Sequence, residues 1–590
     1  MWIYDNVNVD YVLHVGEMET VQSKLNFFQE KISLEDPIYL ETQLKAILNK
    51  KITSVNDLEE WLQEESELLD AIDEVVSGDY IAFQRYNDDK AIKERFERDQ
   101  QVILPIVKKY KALFDKKFYD SPYRAELDPA KYHLLIRSRV NAIELFREEN
   151  IALEMEEDKL QNEYFEITGS LTVLWNGEEK TLPQMKEHLQ SSNRETREKA
   201  WKLLSQEVVK HEQRLNEIMS ELITLRDQQA KNAGMKNYRD YMFKKYERFD
   251  YTAEDCFTFH KAVKKEVVPR VSKIQQKHQQ ELGLDDYRPW DTQAVPQGLE
   301  PLKPFKHSDE LVEATIDVFQ EVDPEFAQLL KDMKNQDLLD LDSRKAKSPG
   351  GFCSYLPITE LSFIFMNASG TQDDVTTMVH EGGHSVHNLL MRQLPLSAYK
   401  SAPMESAELA SMGMELLTID KWERFYQDEK DLQRAMKEHI EGIISFFPWA
   451  MVVDRFQHWM YENPEHSIEE RQQKFMELAK EYNYHYVNIE GLEDEIRAKW
   501  LMQLHIFEVP FYYIEYAIAQ LGALQLWKAY HENPEETVNN YKKALSLGSS
   551  RTLPEVYEAA GIKFDFSKET IEELMMFAEE QLEKIEELND

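Results

Sequence analysis

Apolar residues recur at every third or fourth position along most of the chain, which is the spacing of one face of an α-helix. From about residue 19 to residue 163, the positions between them are rich in Glu, Lys, Leu and Gln, which favour helix. Segment 54–76 illustrates the pattern, because Ser54 and Asp57 resemble a capping box and one broad apolar stripe follows them. The pattern predicts a mainly α fold.

Two interruptions of the helical pattern predict short β-strands. Residues 171–180 are β-rich and include Asn176-Gly177, a strong signal for a tight hairpin turn. A glycine-rich loop at 348–357 leads into the β-prone run 361–367. We expect one small sheet there, and helical sequence from that point to the C-terminus.

A chain of 590 residues is too long for one compact core, so at least two regions are expected. We place the boundary at the first interruption of the helical pattern. This gives an N-terminal helical lobe at 1–170 and a second region at 171–590, which carries the motifs described next. The sequence has no internal repeat and no low-complexity tract.

Charge and cysteine content limit the expected partners and location. The chain has 110 acidic and 70 basic residues, and its formal net charge of −40 repels nucleic acid and anionic lipid. Two cysteines, Cys256 and Cys353, are too few for a disulfide framework and fit a reducing compartment. The first residues do not form a basic and apolar leader, and no run of 18 apolar residues occurs. We expect a cytoplasmic protein without nucleic-acid or membrane partners.

The strongest chemical signal is an HExxH motif formed by His380, Glu381 and His384. Residues four apart on a helix point the same way, so both imidazoles can bind one zinc ion while Glu381 reaches a water on that ion. Zinc lowers the pKa of a bound water to about 7, and the glutamate accepts its proton as the water attacks a carbonyl. The motif predicts amide hydrolysis with one zinc ion per chain.

Two neighbouring features strengthen the interpretation of this motif. Asp373 and Asp374 can cap a helix that begins near Val375 and carries the motif. Gly382 and Gly383 lie inside that helix, where each glycine costs about 1 kcal/mol relative to alanine. Such a cost is typical of a position that another backbone or a ligand approaches closely.

A catalytic zinc site needs a third protein ligand and one open position. A predicted second helix carries Glu405, Glu408 and Glu415 on roughly one face, and spacing alone does not choose among them. A carboxylate that does not bind the metal would orient a ligand histidine. His387, one turn after the motif, is a further candidate, although three histidines on one helix would strain tetrahedral angles.

A second constellation contains His505, Tyr512 and Tyr516, whose offsets of seven and eleven describe one helical stripe. Pro510 starts or kinks that helix. Imidazole and phenol groups directed at a substrate carbonyl would stabilise an oxyanion. The alternative is that the stripe packs into the core.

Several separated blocks of the sequence resemble the M3 family of oligopeptidases, and within it the oligoendopeptidase F-like branch. These blocks lie at 191–201, 233–241, 350–353 with 365–367, 380–387, 405–415, 505–516 and 544–548. The resemblance implies a mostly helical, elongated molecule with two lobes, a deep central channel and zinc near the channel floor. It also implies cleavage of short unstructured peptides.

The resemblance assigns roles by position in this sequence. It makes Glu408 the third zinc ligand, and it makes His505, Tyr516 and Tyr512 the groups that stabilise the transition state. It also implies that the strand at 363–367 holds the substrate backbone by edge pairing.

One position departs from the family pattern. Gly382 stands where the family often has a bulky residue, which affects the shape of a substrate subsite but leaves zinc binding intact.

We therefore expect a zinc-dependent metalloendopeptidase whose partners are short peptides. A zinc carboxypeptidase or peptidyl-dipeptidase is the nearest alternative, and it would need a cationic group near the site to bind a free C-terminal carboxylate. A peptide-binding protein without catalysis is a second alternative. The intact trio of His380, Glu381 and His384 argues against it.

Overall fold

The computed structural model describes Phe27 and residues 32–587. Of the sequence predicted to be helical, residues 19–26, 28–31 and 588–590 lie outside the described residues. The described part of the chain is mainly α-helical and has two small β-sheets, so the predicted fold class is confirmed.

The helices, in chain order, are α1 (Pro37–Asn49), α2 (Val55–Arg85), α3 (Lys90–Arg98), α4 (Leu104–Asp120), α5 (Pro129–Leu145), α6 (Glu148–Gly169), α7 (Lys186–Leu189), α8 (Arg194–Lys210), α9 (Glu212–Asn232), α10 (Tyr238–Lys245), α11 (Ala253–Glu266), α12 (Val268–Glu281), α13 (Ser308–Val322), α14 (Pro324–Asn335), α15 (Gln372–Met391), α16 (Met404–Thr418), α17 (Glu429–Glu462), α18 (Ile468–Tyr482), α19 (Glu493–Arg497), α20 (Leu504–Glu508), α21 (Ile514–Glu532), α22 (Pro534–Leu545), α23 (Leu553–Ala559) and α24 (Lys568–Glu587). The strands are β1 (Thr172–Trp175), β2 (Glu178–Thr181), β3 (Leu339–Asp342), β4 (Phe352–Leu356) and β5 (Leu361–Ala368). No helix within the described ranges is both long enough and apolar enough to span a bilayer.

Two compact units, each built from three chain segments, make up the fold. The first unit comprises the chain up to Ile143, Leu302–Leu432 and Gly522–Phe564, and the second comprises Glu144–Pro301, Gln433–Leu521 and the chain from Asp565 onward. The division into 1–170 and 171–590 that the sequence indicates stays a prediction.

The first unit contains a helical core that starts at α1 and α2. Ser54 caps α2, because its hydroxyl accepts from the Asp57 backbone N–H at 3.1 Å. The reciprocal half of the predicted capping box is absent, because the Asp57 carboxylate accepts from the backbone N–H of Thr53 at 2.8 Å. Trp61 is fully buried, donates its indole N–H to the Ile47 carbonyl at 3.0 Å and meets the Phe114 ring edge-on. This aromatic packing stabilises the first helices of the unit.

The predicted hairpin is present in the second unit. Strands β1 and β2 pair in antiparallel register, with Trp175 opposite Glu178. Asn176 and Gly177 between them have φ values of 53° and 92°. A type I′ turn requires positive φ at both central positions, which is why this dipeptide closes the hairpin.

The second sheet lies in the first unit and has the strand order β3-β5-β4. β5 pairs with β3 in parallel and with β4 in antiparallel orientation. The expectation that 363–367 offers a sheet edge to substrate is therefore wrong, because β3 and β4 occupy the edges. β3 escaped prediction because Leu339 and Leu341 alternate with aspartates over only four residues.

Candidate metal centre

Helix α15 carries the HExxH motif and begins three residues earlier than predicted, at Gln372. Asp374 stabilises its start, since one carboxylate oxygen accepts from the backbone N–H of Thr371 at 2.8 Å and of Ser369 at 2.9 Å. A carboxylate in the first turn also complements the helix dipole. These contacts fix the first turn of the helix that carries the motif.

The structure brings the three predicted metal ligands together within the first unit. One ligand atom from each of His380, His384 and Glu408 lies within 4.8 Å of the other two. The Glu408 carboxylate is 3.2 Å from His380 Nε2 and 3.8 Å from His384 Nε2. Glu408 is buried, whereas both imidazoles are partly exposed. The two imidazoles are therefore accessible to a ligand, while the Glu408 carboxylate is enclosed by protein.

A close crossing of α15 and α16 positions Glu408. A Cβ atom added at Gly383 would lie 2.7 Å from Ser411 Cα and 2.8 Å from the Ala410 carbonyl oxygen. Only glycine permits this distance between the two helix backbones. The expected close approach at this glycine is thus present, and its partner is the helix that carries the third ligand.

Gly382 has a different neighbour. A Cβ atom there would lie 2.7 Å from Cζ of Phe319, a fully buried residue of α13. The aromatic ring therefore occupies the space that a bulky residue at this position would take. This contact gives the physical reason for the departure from the family pattern at this position.

The three glutamates of α16 have distinct environments. Glu415 Oε1 lies 2.6 Å from His380 Nδ1, which leaves Nε2 of that ring directed at Glu408. Glu405 is buried elsewhere, and the Tyr557 hydroxyl donates to its backbone carbonyl at 3.0 Å. Glu408 thus lies beside both histidines, whereas Glu415 orients the ring of His380.

Sequence reasoning missed one residue of this group. The Ser411 hydroxyl lies 2.9 Å from Oε2 of Glu408 and donates to it, one turn further along α16. A serine three residues after a glutamate on the same predicted helix is the signal that could have found it. This hydrogen bond restrains the carboxylate rotamer.

His387 does not join the metal-type group. Its ring is buried near the backbone of Leu545. Burial lowers the pKa of His387 to about 3, so the ring is neutral at ordinary pH. The residue contributes to packing behind α15.

The local field around the motif favours positive charge. Burial alone would lower the pKa of His380, but hydrogen bonds to Glu408 and Glu415 hold it well above its usual range. Burial lowers the pKa of His384 to about 4, which keeps that ring neutral and able to donate an electron pair. Two imidazoles and one carboxylate are also the donor set of many catalytic zinc sites, so these residues fit the ion.

Glu381 is buried beside this group. Burial raises the pKa of Glu381 to about 7, opposed by His380 and reinforced by Glu408. The backbone of Cys353 acts in the opposite direction to burial and favours the charged carboxylate. A carboxylate with a pKa near neutrality suits a group that accepts and returns a proton.

His505, Tyr512 and Tyr516 lie together in the second unit, although not on one helix. α20 ends at Glu508 and α21 begins at Ile514, so the expected single helical stripe is wrong. Pro510 and a positive φ at Phe511 break the helix.

The turn nevertheless gathers the three rings. The centroid of His505 is 6.2 Å from that of Tyr512 and 5.9 Å from that of Tyr516. Gln503 holds the imidazole, with its amide nitrogen 2.7 Å from Nδ1. Burial lowers the pKa of His505 to about 4. The role of these residues in catalysis stays a prediction.

A helix with HExxH facing a carboxylate from a second helix defines a metallopeptidase-type site. The model of "Peptidase family M3" matches residues 187–576, which is more than half of the chain. The chain belongs to peptidase family M3. The predicted family membership is therefore confirmed.

Named relatives agree with this assignment. "Oligoendopeptidase F, chromosomal" of Lactococcus lactis subsp. cremoris is 25% identical over 45% of this chain. "Oligopeptidase PepF" of Bacillus subtilis (strain 168) is 26% identical, also over 45% of this chain. The aligned regions span 44% and 39% of the lengths of these relatives, so the chain matches less than half of each.

A solved structure extends the likeness to nearly the whole fold. The structure described as "PZ peptidase A with inhibitor 2" is 26% identical and has a TM-score of 0.85. The superposition covers 95% of this chain and 99% of that one. These names support the expectation of a metalloendopeptidase of this family.

Proposed function

We propose that this protein is a zinc-dependent endopeptidase that hydrolyses internal bonds of short unstructured peptides. The observation that carries the proposal is the group formed by His380, His384 and Glu408, with ligand atoms within 4.8 Å of one another and Glu381 buried beside them. His380 and His384 would bind through Nε2, and Glu408 through a carboxylate oxygen. The names of the relatives, oligoendopeptidase and oligopeptidase, support the class of substrate.

A zinc ion at these residues would acidify a bound water and polarise the substrate carbonyl. Glu381 accepts the proton of the attacking water and returns it to the nitrogen of the leaving amine. Its raised pKa, about 7, allows both transfers near neutral pH.

Neighbouring residues prepare the group for binding. Glu415 accepts a hydrogen bond from His380 Nδ1 at 2.6 Å and so fixes the tautomer that presents Nε2. Ser411 donates to Glu408 at 2.9 Å and limits its rotation. A ligand set held in this way loses little conformational freedom on binding.

We propose that His505, Tyr516 and Tyr512 stabilise the oxyanion that forms when the carbonyl is attacked. Phenol and neutral imidazole N–H groups are suitable donors, and removing one such donor from an oxyanion site costs about 10²–10³ in kcat. Tyr516→Phe should therefore lower kcat and leave zinc content unchanged.

We also propose a cytoplasmic location, because a chain with only two cysteines fits a reducing compartment.

The proposal is tested with an internally quenched peptide of about eight residues, blocked at both ends, a length that suits an oligopeptidase cleft. Cleavage should stop on addition of a chelator and return on addition of zinc. Glu381→Gln should retain zinc and lose about 10³-fold or more in rate, whereas Glu408→Ala should lose the zinc. Glu405→Gln is the matched control, since this glutamate lies outside the ligand group.

The outcomes separate the alternatives. Cleavage that persists in zinc-free protein, or in Glu381→Gln, would contradict the mechanism. Activity on free-ended peptides alone would point to a carboxypeptidase or peptidyl-dipeptidase. A zinc-loaded protein that binds peptides but cleaves none would be a binding protein.

A further inference from the structure

A second group of metal-type ligands lies in the core of the second unit. Cys256 and His260 are one turn apart on α11, and Asp454 and His458 are one turn apart on α17. Residues four apart share a helix face, so the two pairs can meet where these helices pack. One ligand atom from each of Cys256, Asp454 and His458 lies within 4.8 Å of the other two. All four residues have exposures of 1% or less.

The polar atoms of this group are incompletely satisfied within the protein. Asp454 Oδ2 lies 2.7 Å from His260 Nε2, which donates to it. His458 Nε2 approaches the same oxygen at 3.2 Å but without the geometry of a hydrogen bond. Asp454 Oδ1 and both ring nitrogens of His458 thus have no hydrogen-bond partner, although buried polar groups in native proteins are nearly always paired. A bound ligand would satisfy these atoms.

Asp454 is the carboxylate of this group and is fully buried. The guanidinium of Arg455 on the same helix pairs with Glu481 at 3.3 Å. Buried carboxylates in proteins are paired or coordinate a metal ion.

An aromatic shell encloses the group. The ring of His458 is 4.8 Å from that of Phe257, 5.3 Å from that of Phe511 and 6.1 Å from that of Phe243, between centroids. Such a shell excludes water and strengthens the attraction between an ion and its ligands. It also gives the site no open face for a substrate, which favours a structural role.

We propose that Cys256, Asp454 and His458 bind a structural zinc ion that links α11 to α17. The thiol of Cys256 releases its proton and binds as thiolate, Asp454 binds through Oδ1, and His458 binds through one ring nitrogen. His260 is a positioning residue, since its hydrogen bond to Oδ2 orients the carboxylate. Sulfur, nitrogen and oxygen donors together suit zinc, whereas calcium and magnesium prefer oxygen alone.

The test uses Co²⁺ as a spectroscopic probe of thiolate ligation. The full-length protein is produced in cells grown with added Co²⁺, so that the ion can enter while the chain folds. We expect two Co²⁺ per chain and a thiolate-to-Co²⁺ charge-transfer absorption. The catalytic group has no sulfur ligand, so this absorption reports the second site alone and is independent of peptidase activity.

Variants assign the signal to residues. His384→Ala should bind one Co²⁺ and keep the charge-transfer absorption, whereas Cys256→Ser should bind one Co²⁺ and lose it. Cys353→Ser is the matched control, because it removes the other cysteine of the chain and should keep two ions and the absorption. Asp454→Asn, which preserves shape, should lose the second ion as well.

The wild-type spectrum decides the question even if a variant does not fold. A wild-type protein with one Co²⁺ and no thiolate absorption would overturn the proposal and leave a metal-free buried network. An absorption that persists in Cys256→Ser and disappears in Cys353→Ser would overturn it too. If the site is present, thermal unfolding of His384→Ala should occur at higher temperature with the ion than without it.

Discussion

The close crossing at Gly383 makes Gly383→Ala an informative substitution. The added Cβ would lie 2.7 Å from Ser411 Cα, a backbone atom that no rotamer change can move. Restoring an ordinary contact of 3.4 Å requires α16 to shift by about 0.7 Å. Glu408 lies on the same helix, three residues before Ser411, so its carboxylate moves away from the two histidines by a similar distance.

The expected size of the effect follows from this displacement. Overpacking of a core costs about 1–3 kcal/mol. Replacing a helical glycine by alanine returns about 1 kcal/mol, so the net loss of unfolding free energy is about 0–2 kcal/mol. Misplacement of a catalytic group by about 1 Å costs about 10²-fold in rate. We therefore expect Gly383→Ala to lose far more activity and zinc affinity than stability.

Three measurements test this expectation: hydrolysis of the quenched peptide, zinc affinity by competition with a chromophoric chelator, and urea unfolding. Gly78→Ala is the matched control, because Gly78 lies inside α2 of the same unit with no atom within 4 Å of an added Cβ. It should gain up to about 1 kcal/mol and keep its zinc. If Gly383→Ala folds and retains wild-type zinc affinity and rate, the crossing does not set the ligand geometry.

Further predictions concern residues around the site and the nearby sheet. Glu415→Gln should lower zinc affinity about 10–100-fold without loss of fold, measured by the same competition, and unchanged affinity would contradict its orienting role. Gly382→Ala should destabilise the protein, because the added Cβ would lie 2.7 Å from the Phe319 ring. Phe319→Leu should relieve this loss of unfolding free energy in a double-mutant cycle. Losses of unfolding free energy that simply add would contradict the contact. Lys347→Met should cost about 1.5–3 kcal/mol, because it removes the hydrogen bond that the buried Lys347 ammonium donates to Asp340 at 2.9 Å while Arg85 and Arg344 still pair with that carboxylate. Burial favours the neutral form of Asp340, but hydrogen bonds from basic neighbours, Lys347 included, hold its pKa below the usual range. The contribution of this carboxylate to the free energy of unfolding is therefore complete above about pH 4 and is lost as the pH falls. In Lys347→Met the folded-state pKa of Asp340 should lie closer to its unfolded value, so in acid titrations of stability the loss should be smaller and should level off at a higher pH. A pH profile parallel to that of the wild type would refute the coupling.

The grouping of His380, His384 and Glu381 was predictable because its signals are local. His380, Glu381 and His384 lie within two helical turns, so helix periodicity alone places them on one face. The low helix propensity of the two glycines inside that helix likewise predicted a close neighbour. That neighbour is α16 for Gly383 and the Phe319 ring for Gly382.

Features that depend on distant parts of the chain were not predictable. β3 pairs with β5 across more than twenty residues, and its own four residues carry too short an alternation to be recognised. The group around Cys256 and Asp454 joins helices almost two hundred residues apart, and each helix alone has only an ordinary pair of polar residues. The single stripe expected for His505 and the two tyrosines failed because Pro510 ends the helix between them.

The central claim, that His380, His384 and Glu408 form the catalytic zinc site, is tested most directly by anomalous diffraction at the zinc edge. Crystals of Glu381→Gln grown with zinc would retain the ion without turnover. The account predicts a peak bonded to Nε2 of both histidines and to one oxygen of Glu408, at about 2.0–2.2 Å. A peak coordinated by Glu415 in place of Glu408, or no peak at this group in zinc-loaded crystals, would contradict it.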